Sequence, residues 1–337
     1  MKKNTLGIIG LFFLIFVITA VMNHDFLNAF NMHNLIKWSS LYAIMSIGVA
    51  FVIITGGIDL SIGSLVGLVA VMLAVMLKVK GLSPGVAIAS TLGLSALIGL
   101  IHGLLVTKAK LQPFVVTLCG LLIYRSLARW IGGDHSDLGP IPIKDDPGYA
   151  NIDSINQTAN LLSGKLAITD SFSLPHPLFF MLIIGIAAAV VLNRTIWGRY
   201  LFALGNNEEG ARYSGISTDA LKIGAYVICS LLAGIAGVLF AFEVGAVQPA
   251  SFGEFYELFA IAGAVLGGCS LRGGRGSMLG IIIAVAVIWL IFNAMPMLGI
   301  SSKLEYGVLG LVILFGVLAD ELLKAYTAKR AAAKQQQ

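Results

Sequence analysis

Stretches of about 20 mostly apolar residues recur along the whole chain, and such a stretch is what an α-helix needs to cross a bilayer. The runs lie near Leu6–Met22, Leu35–Thr55, Leu60–Leu77, Pro84–Val106, Pro113–Ile131, His176–Leu192, Leu221–Phe242, Phe255–Leu266, Ser277–Met295 and Leu304–Leu323. Only helices and closed barrels satisfy their backbone groups in lipid, and runs of this length are helical. The expectation is therefore an all-α, polytopic membrane bundle of about ten transmembrane helices. Phe255–Leu266 is short for a simple span and reads as broken or tilted. Composition closes the alternative. The chain is 58% hydrophobic and 12% charged, whereas a soluble domain carries ~25% charged residues, so an ordinary water-soluble enzyme is excluded. Lys2 and Lys3 precede the first run without a convincing small-residue cleavage site, so that run reads as a retained helix.

Lys and Arg set the orientation. With the N-terminus cytoplasmic, the inner segments hold Lys2, Lys3, Lys108, Lys110, Arg194, Arg199, Arg212, Lys222, Arg272, Arg275 and the four basic residues of the tail, the majority of the 22 in the chain. Both termini are expected inside, bounding a transmembrane domain over 1–323 with an external loop at 132–175 and a cytoplasmic loop at 193–220. A basic tail, 324–337, follows as a stop signal, not a nucleic-acid arm. Cys119, Cys229 and Cys269 lie in or beside apolar runs, widely spaced and odd in number. They read as inert buried thiols, with neither a disulfide framework nor a metal site.

Asp59 is the sharpest single signal, standing between two long apolar runs. A charge at bilayer depth costs at least ~2.5–3.5 kcal/mol unless it is paired or hydrated. It reads either as a cap on the following helix, with Ser61 and Ser64 beside it, or as a participant in substrate or proton movement. Gln112, Thr117, Glu243, Glu257 and Asn293 are further polar residues in or near the runs, and His102 reads as an interhelical hydrogen-bond partner. Two segments echo each other: Gly56-Gly57-Ile58-Asp59-Leu60-Ser61 before Gly63, and Gly267-Gly268-Cys269-Ser270-Leu271-Arg272 before Gly276. Glycine-rich breaks between repeated helical units border the path in many transporters. Gly63/Gly67, Gly99/Gly103, Gly263/Gly267 and Gly276/Gly280 have the four-residue spacing that permits close helix crossings.

Neither a phosphate-binding Gly-x-x-x-x-Gly-Lys-Ser/Thr loop nor a His-Glu-x-x-His motif occurs. The chain carries no ATPase of its own, so any pumping needs an ion gradient or a partner. The cytoplasmic loop points to a partner. Asn206 or Asn207 can cap a short helix whose first turn holds Glu208 and Glu209, and Gly215 can end it. A short capped helix between two spans is suited to docking.

At this point a resemblance emerges. Gly-Gly-Ile-Asp-Leu-Ser at 56–61, Pro113-Phe114-Val115-Val116-Thr117-Leu118, Gly198–Ile216 and the late stretch from Glu257-Leu258 through Gly276 resemble, in order, motifs of the ribose/monosaccharide permease subunits of bacterial ABC importers. The likeness runs from about Leu35 to Asp320, and departs from the family pattern at Cys119, Gly210 and Phe259. It implies a homodimeric permease in the bacterial inner membrane, in contact with membrane lipid, a cytoplasmic ATPase with two nucleotide-binding domains, and a periplasmic sugar-binding protein. ATP would be used by the partner, and the chain itself would bind no cofactor and catalyse nothing. Asn206, Asn207, Glu208, Glu209, Ala211, Arg212, Ser214 and Gly215 would couple to the ATPase. Asp59, Ser61, Ser64, Gln112, Thr117, Gly267, Gly268, Ser270 and Asn293 would line or gate the path. The alternatives are a permease for another small solute, such as a branched-chain amino acid, and a proton-coupled transporter using Asp59.

Overall fold

The computed structural model describes residues 3–133, 139–144, 149, 151–169, 172–312, 314–315 and 318. The tail expected at 324–337, and most of the last predicted span beyond 312, lie outside them. The helices are α1 (Lys3–Met22), α2 (Ala29–Ile54), α3 (Ile62–Lys78), α4 (Pro84–Thr107), α5 (Pro113–Gly132), α6 (Ile152–Ser163), α7 (His176–Arg194), α8 (Ile196–Asn206), α9 (Glu208–Tyr213), α10 (Thr218–Val244), α11 (Tyr256–Leu266) and α12 (Met278–Met297). Residues 305–312 are again helical. Six of these helices, α2, α4, α5, α7, α10 and α12, are long and apolar enough to cross a membrane, and α1, α3 and α11 supply shorter apolar segments. The chain is a polytopic helical membrane protein.

Local chemistry sets the boundaries. Proline at the first helical position opens α4 and α5, where its missing N–H is one of the unpaired donors anyway. Asn28 caps α2 by accepting from the Phe30 N–H at 3.0 Å, and Ser277 caps α12 by accepting from Gly280 at 3.3 Å. Gly245, with φ +77°, ends α10 in the left-handed conformation that a Cβ disfavours. The short segment expected near 255–266 is α11, 11 residues long, about half of what a bilayer requires.

α10 is the central rod and packs against α4, α2 and α3. α2, α10 and α12 are mostly buried, whereas α4, α5 and α7 leave most of their apolar surface outside. Residues with small side chains bring these elements together. At Gly99 and Gly103 the backbone of α4 approaches α10 so closely that a Cβ would lie 2.7 Å from the Cα of Val227 and of Ile223 respectively. Small-residue contact of this kind drives helix association where lipid removes the hydrophobic difference. Outside the bundle, β1 (Ile141–Pro142) pairs antiparallel with β4 (Ala246–Val247), and β2 (Lys165–Ala167) with β3 (Ser173–Pro175). The described residues between α5 and α7 thus form a cap in which α6 rests on α10, α7 and α4. Cys229 and Cys269 are buried but Cys119 is exposed. It sits on the outward face of α5 with Val115, Leu118 and Leu122, which corrects the expectation of three buried thiols.

Candidate coupling joint and buried polar cluster

The segment between α7 and α10 folds as two helices, not as a loop with one. Thr195 caps α8 by accepting from Gly198 at 3.2 Å. Asn207, and not Asn206, caps α9 by accepting from Gly210 at 2.9 Å, with Glu208 and Glu209 in the first turn. The end of α9 is a Schellman turn: Ile216 donates to the Ala211 carbonyl and Gly215, at φ +80°, to that of Arg212. A six-residue helix cannot stand by itself, and ion pairs brace it. Glu208 accepts from Lys222 on α10 at 2.7 Å, and Arg212 lies 3.4 Å from Glu208. Ala211 is the buried contact of α9, while Glu209, Arg212, Tyr213, Ser214 and Gly215 face outward. Tyr213 is 91% exposed.

The preceding residue, Asn206, turns the other way. Its amide donates to the Phe202 carbonyl at 2.7 Å and to the Gly274 carbonyl at 3.3 Å. The Gly274 N–H in turn donates to the Ile54 carbonyl, the last residue of α2, at 2.9 Å. Gly205, Gly56 and Gly273 meet at the same point, where a Cβ on Gly273 would lie 2.8 Å from the Gly205 carbonyl oxygen and 3.0 Å from the Gly56 nitrogen. The two echoing glycine-rich breaks, 56–61 and 267–276, are therefore packed on each other and on the end of α8. Backbone touches backbone at Gly205, Gly273 and the Ile54 carbonyl, and the Asn206 amide adds a side-chain link, so little slack separates α9 from the breaks that start α3 and α12.

Beside the first break lies a buried polar cluster. Asp59 is 1% exposed, and its Oδ1 accepts from the Ser61 N–H at 2.9 Å and the Ser61 hydroxyl at 2.7 Å. It thus braces the turn two residues ahead of α3 instead of capping the helix itself. Ser64 donates to the Ser61 carbonyl at 2.9 Å. The Ile58 carbonyl lies 3.4 Å from both the Thr117 and Tyr226 hydroxyls. The other Asp59 oxygen faces His102 Nδ1 at 4.0 Å, and His102 Nε2 is 2.8 Å from the Tyr124 hydroxyl. Residues from α4, α5 and α10 thus converge on one carboxylate.

The family model described as branched-chain amino acid transport system / permease component matches residues 31–317. The chain belongs to that family. The ribose import permease protein RbsC of Escherichia coli K12 is 35% identical over 90% of this chain and 89% of its own, and that of Bacillus subtilis 168 is 35% identical over 93% and 91%. The galactose/methyl galactoside import permease protein MglC of Escherichia coli K12 is 29% identical over 93% and 94%. No solved structure matches.

In this permease, then, Asp59, Ser61, Ser64 and Thr117 share one cluster, and Gly267, Gly268 and Ser270 share the second break, where Ser270 is buried and accepts from the Arg272 N–H at 3.3 Å. Two residues grouped with them from the sequence lie elsewhere. Gln112 is exposed at the start of α5. Asn293 pairs with Asn31 through two amide hydrogen bonds of 2.7 and 3.1 Å, clamping α12 to the beginning of α2. His102, expected as an interhelical hydrogen-bond partner, makes that bond to Tyr124 but was not placed in the cluster, and Tyr124, Tyr226 and Gly205 were missing from the expected set. A histidine buried in an apolar helix was the available signal for the first three, because such a group needs polar partners. One Gly-x-Ser-x-Gly spelling occurs at Gly81–Gly85, but it follows helix α3 and Ser83 is the residue before α4. A nucleophile elbow is entered from a strand.

Proposed function

We propose that this chain is the transmembrane subunit of an ABC importer for a monosaccharide, with ribose the first candidate, residing in the bacterial inner membrane. The 35% identity to ribose import permeases over nine-tenths of both chains carries this reading. Two copies would form the translocation unit, a separate ATPase with two nucleotide-binding domains would dock on α9, and an extracytoplasmic sugar-binding protein would deliver substrate. ATP and its chemistry belong to the ATPase; this chain supplies the path and the mechanical linkage.

The geometry supports a definite linkage. A push on the outward face of α9 reaches α10 through Glu208–Lys222 and reaches the two glycine-rich breaks through Asn206 and Gly274. Because the breaks start α3 and α12, their displacement changes how those helices pack, which is the two-state element that alternating access requires. Asp59 and Ser61 lie in the first break and Ser64 and Thr117 beside it, where they gate the path or border it. A path that holds sugar weakly suits this design, with selectivity carried by the binding protein.

The test is uptake into proteoliposomes containing the chain alone, or with its ATPase and binding protein, in the presence and absence of ATP. Uptake of labelled ribose only with both partners and ATP is expected. Leucine is included because the family's description names branched-chain amino acids; leucine uptake without ribose uptake would move the substrate class. Uptake by the lone chain under a pH gradient would overturn the ABC reading.

A further inference from the structure

Two cavities on the side of the bundle opposite α8 and α9 adjoin each other, and their linings are of opposite character. The first, about 470 Å³, is lined by the polar residues His33, Asn160, Ser163, Lys165 and His176 and by Gly164. The second, about 280 Å³, is a groove with an apolar lining that includes Ile88 and Leu92 of α4, Leu162 of α6, Phe180 and Ile184 of α7, and Ile235 of α10. Two elements connect them. At the end of α6, Leu162 belongs to the groove and Ser163 to the polar pocket. Along α7, His176 lines the pocket, and Phe180 and Ile184 follow one and two turns deeper, on one stripe of the helix.

The depth of the groove is set by the helices that form it. Ile88 and Leu92 lie in the first turns of α4, and Phe180 and Ile184 in the first turns of α7, both starting from the α6 side. The groove therefore opens within one leaflet, directly beneath the polar pocket. Water is a poor occupant, because a groove without polar partners stays dry, whereas an acyl chain matches it.

The pocket is basic. Lys165 is exposed on β2, and among the described residues no Asp or Glu lines the pocket. His33 Nδ1 lies 2.9 Å from the Ser173 carbonyl oxygen, and His176 Nδ1 lies 3.0 Å from that of Leu161. Each contact to a carbonyl oxygen is donated by an Nδ1–H, which leaves Lys165 as the charged group of the pocket. The pocket is also rigidly held: the His176 N–H donates to the Gly164 carbonyl at 2.9 Å, and Ser163 donates to the Phe242 carbonyl of α10 at 3.3 Å. Around it, Leu161, Leu166 and Ile168 are exposed apolar residues, suited to the boundary between headgroups and acyl chains, where Lys165 keeps its ammonium in the headgroup layer.

We propose that pocket and groove together form a binding site for one anionic glycerophospholipid of this leaflet, its phosphate in the Lys165–His33–His176 pocket and one acyl chain between α4, α7 and α10. The charge of the pocket selects an anionic headgroup, and the groove selects a lipid over a free anion. The site holds α6 against the ends of three spans and is independent of the substrate transported.

Native mass spectrometry of the purified full chain, titrated with dioleoyl phosphatidylglycerol or dioleoyl phosphatidylcholine, tests this. One retained phosphatidylglycerol is expected, bound at least fivefold more tightly than phosphatidylcholine and not displaced by millimolar inorganic phosphate. Lys165→Glu and His176→Ala should each weaken phosphatidylglycerol retention at least fivefold, and so should Ile184→Trp, which fills the groove. Ile183→Trp, on the neighbouring outward face where Ile183 is 67% exposed, should leave retention unchanged and shows that the α7 surface tolerates the larger ring. Displacement by phosphate, or loss with the pocket variants alone, would make the pocket a free-anion site and overturn the proposal. Loss with Ile184→Trp alone, or equal retention of both lipids, would reduce the groove to non-selective solvation and overturn it as well.

Discussion

Replacing Gly205 by alanine tests whether α9 is linked to the glycine-rich breaks by direct backbone contact. Gly205 lies inside α8, where alanine is the better helix former by up to ~1 kcal/mol, so local propensity alone predicts a small gain. The joint predicts the reverse. A Cβ at Gly205 would sit 2.9 Å from Gly274 Cα, and closer still to the Ile54 carbonyl oxygen and the Gly274 nitrogen. Non-bonded carbons are at ease only from about 3.5 Å, so α8 and the second break must separate by at least about half an ångström. All the obstructing atoms are backbone and cannot rotate away. Overpacking of this kind costs ~1–3 kcal/mol, and separation weakens the Gly274-to-Ile54 and Asn206-to-Gly274 hydrogen bonds at ~1 kcal/mol each. If about 1.4 kcal/mol of this falls on one of the two packings, their ratio shifts about tenfold. In proteoliposomes with the partner subunits, Gly205→Ala should bind the ATPase within about twofold of wild type, because the exposed face of α9 is untouched, yet transport at least about tenfold less sugar per ATP. Gly210→Ala is the control. It lies in α9, the nearest atoms to its Cβ would be those of the Asn207 side chain at 3.2 Å or more, and it should leave coupling intact. Wild-type coupling in Gly205→Ala would refute the joint.

Further outcomes follow from the other contacts. Asp59→Asn keeps an acceptor for the two Ser61 bonds and should retain most ATP-driven uptake with no response to an imposed pH gradient. Asp59→Ala removes both bonds, each at the ~1.5–3 kcal/mol typical of a charged acceptor, and should lower the unfolding temperature in detergent; abolished uptake in the folded Asn variant would restore a proton-carrying role. Reversing the charges of Glu208 or Lys222 singly should reduce coupling, whereas the double exchange should recover it, since the pair is partly exposed and each group alone contributes little to stability; uptake and ATP hydrolysis measured together decide this. Asn31→Leu or Asn293→Leu should destabilise the protein by ~1–3 kcal/mol by stranding the other amide, and joining the two changes should recover part of the loss in thermal unfolding.

What could be read from the sequence divides along physical lines. Helix positions were legible because lipid imposes a long apolar run on every span, and proline, asparagine and glycine mark the ends: α4 starts at Pro84 and α9 ends at Gly215, both where expected. The short α11 was visible for the same reason. Facing was not legible, because a helix that is apolar all round gives no amphipathic signal to orient its polar residues. Thus Asn293, which looked like a path residue, serves a clamp with Asn31, and His102, which has no partner nearby in sequence, meets Asp59 and Tyr124 from two other elements. The joint shows the same limit more sharply. Gly56, Gly205, Gly273 and Gly274 could each be read as a local break, and the echo between 56–67 and 267–280 hinted that two of the breaks were equivalent. Their common purpose comes only from distances between backbones far apart in the chain. At Gly205, Gly273 and Gly274 a Cβ would press on the facing segment, whereas at Gly56 it is the backbone, with φ +83°, that favours glycine. In the linkage proposed above, the residues that transmit force are therefore the ones with the least chemistry in their side chains, and reactive groups in the sequence do not point to them.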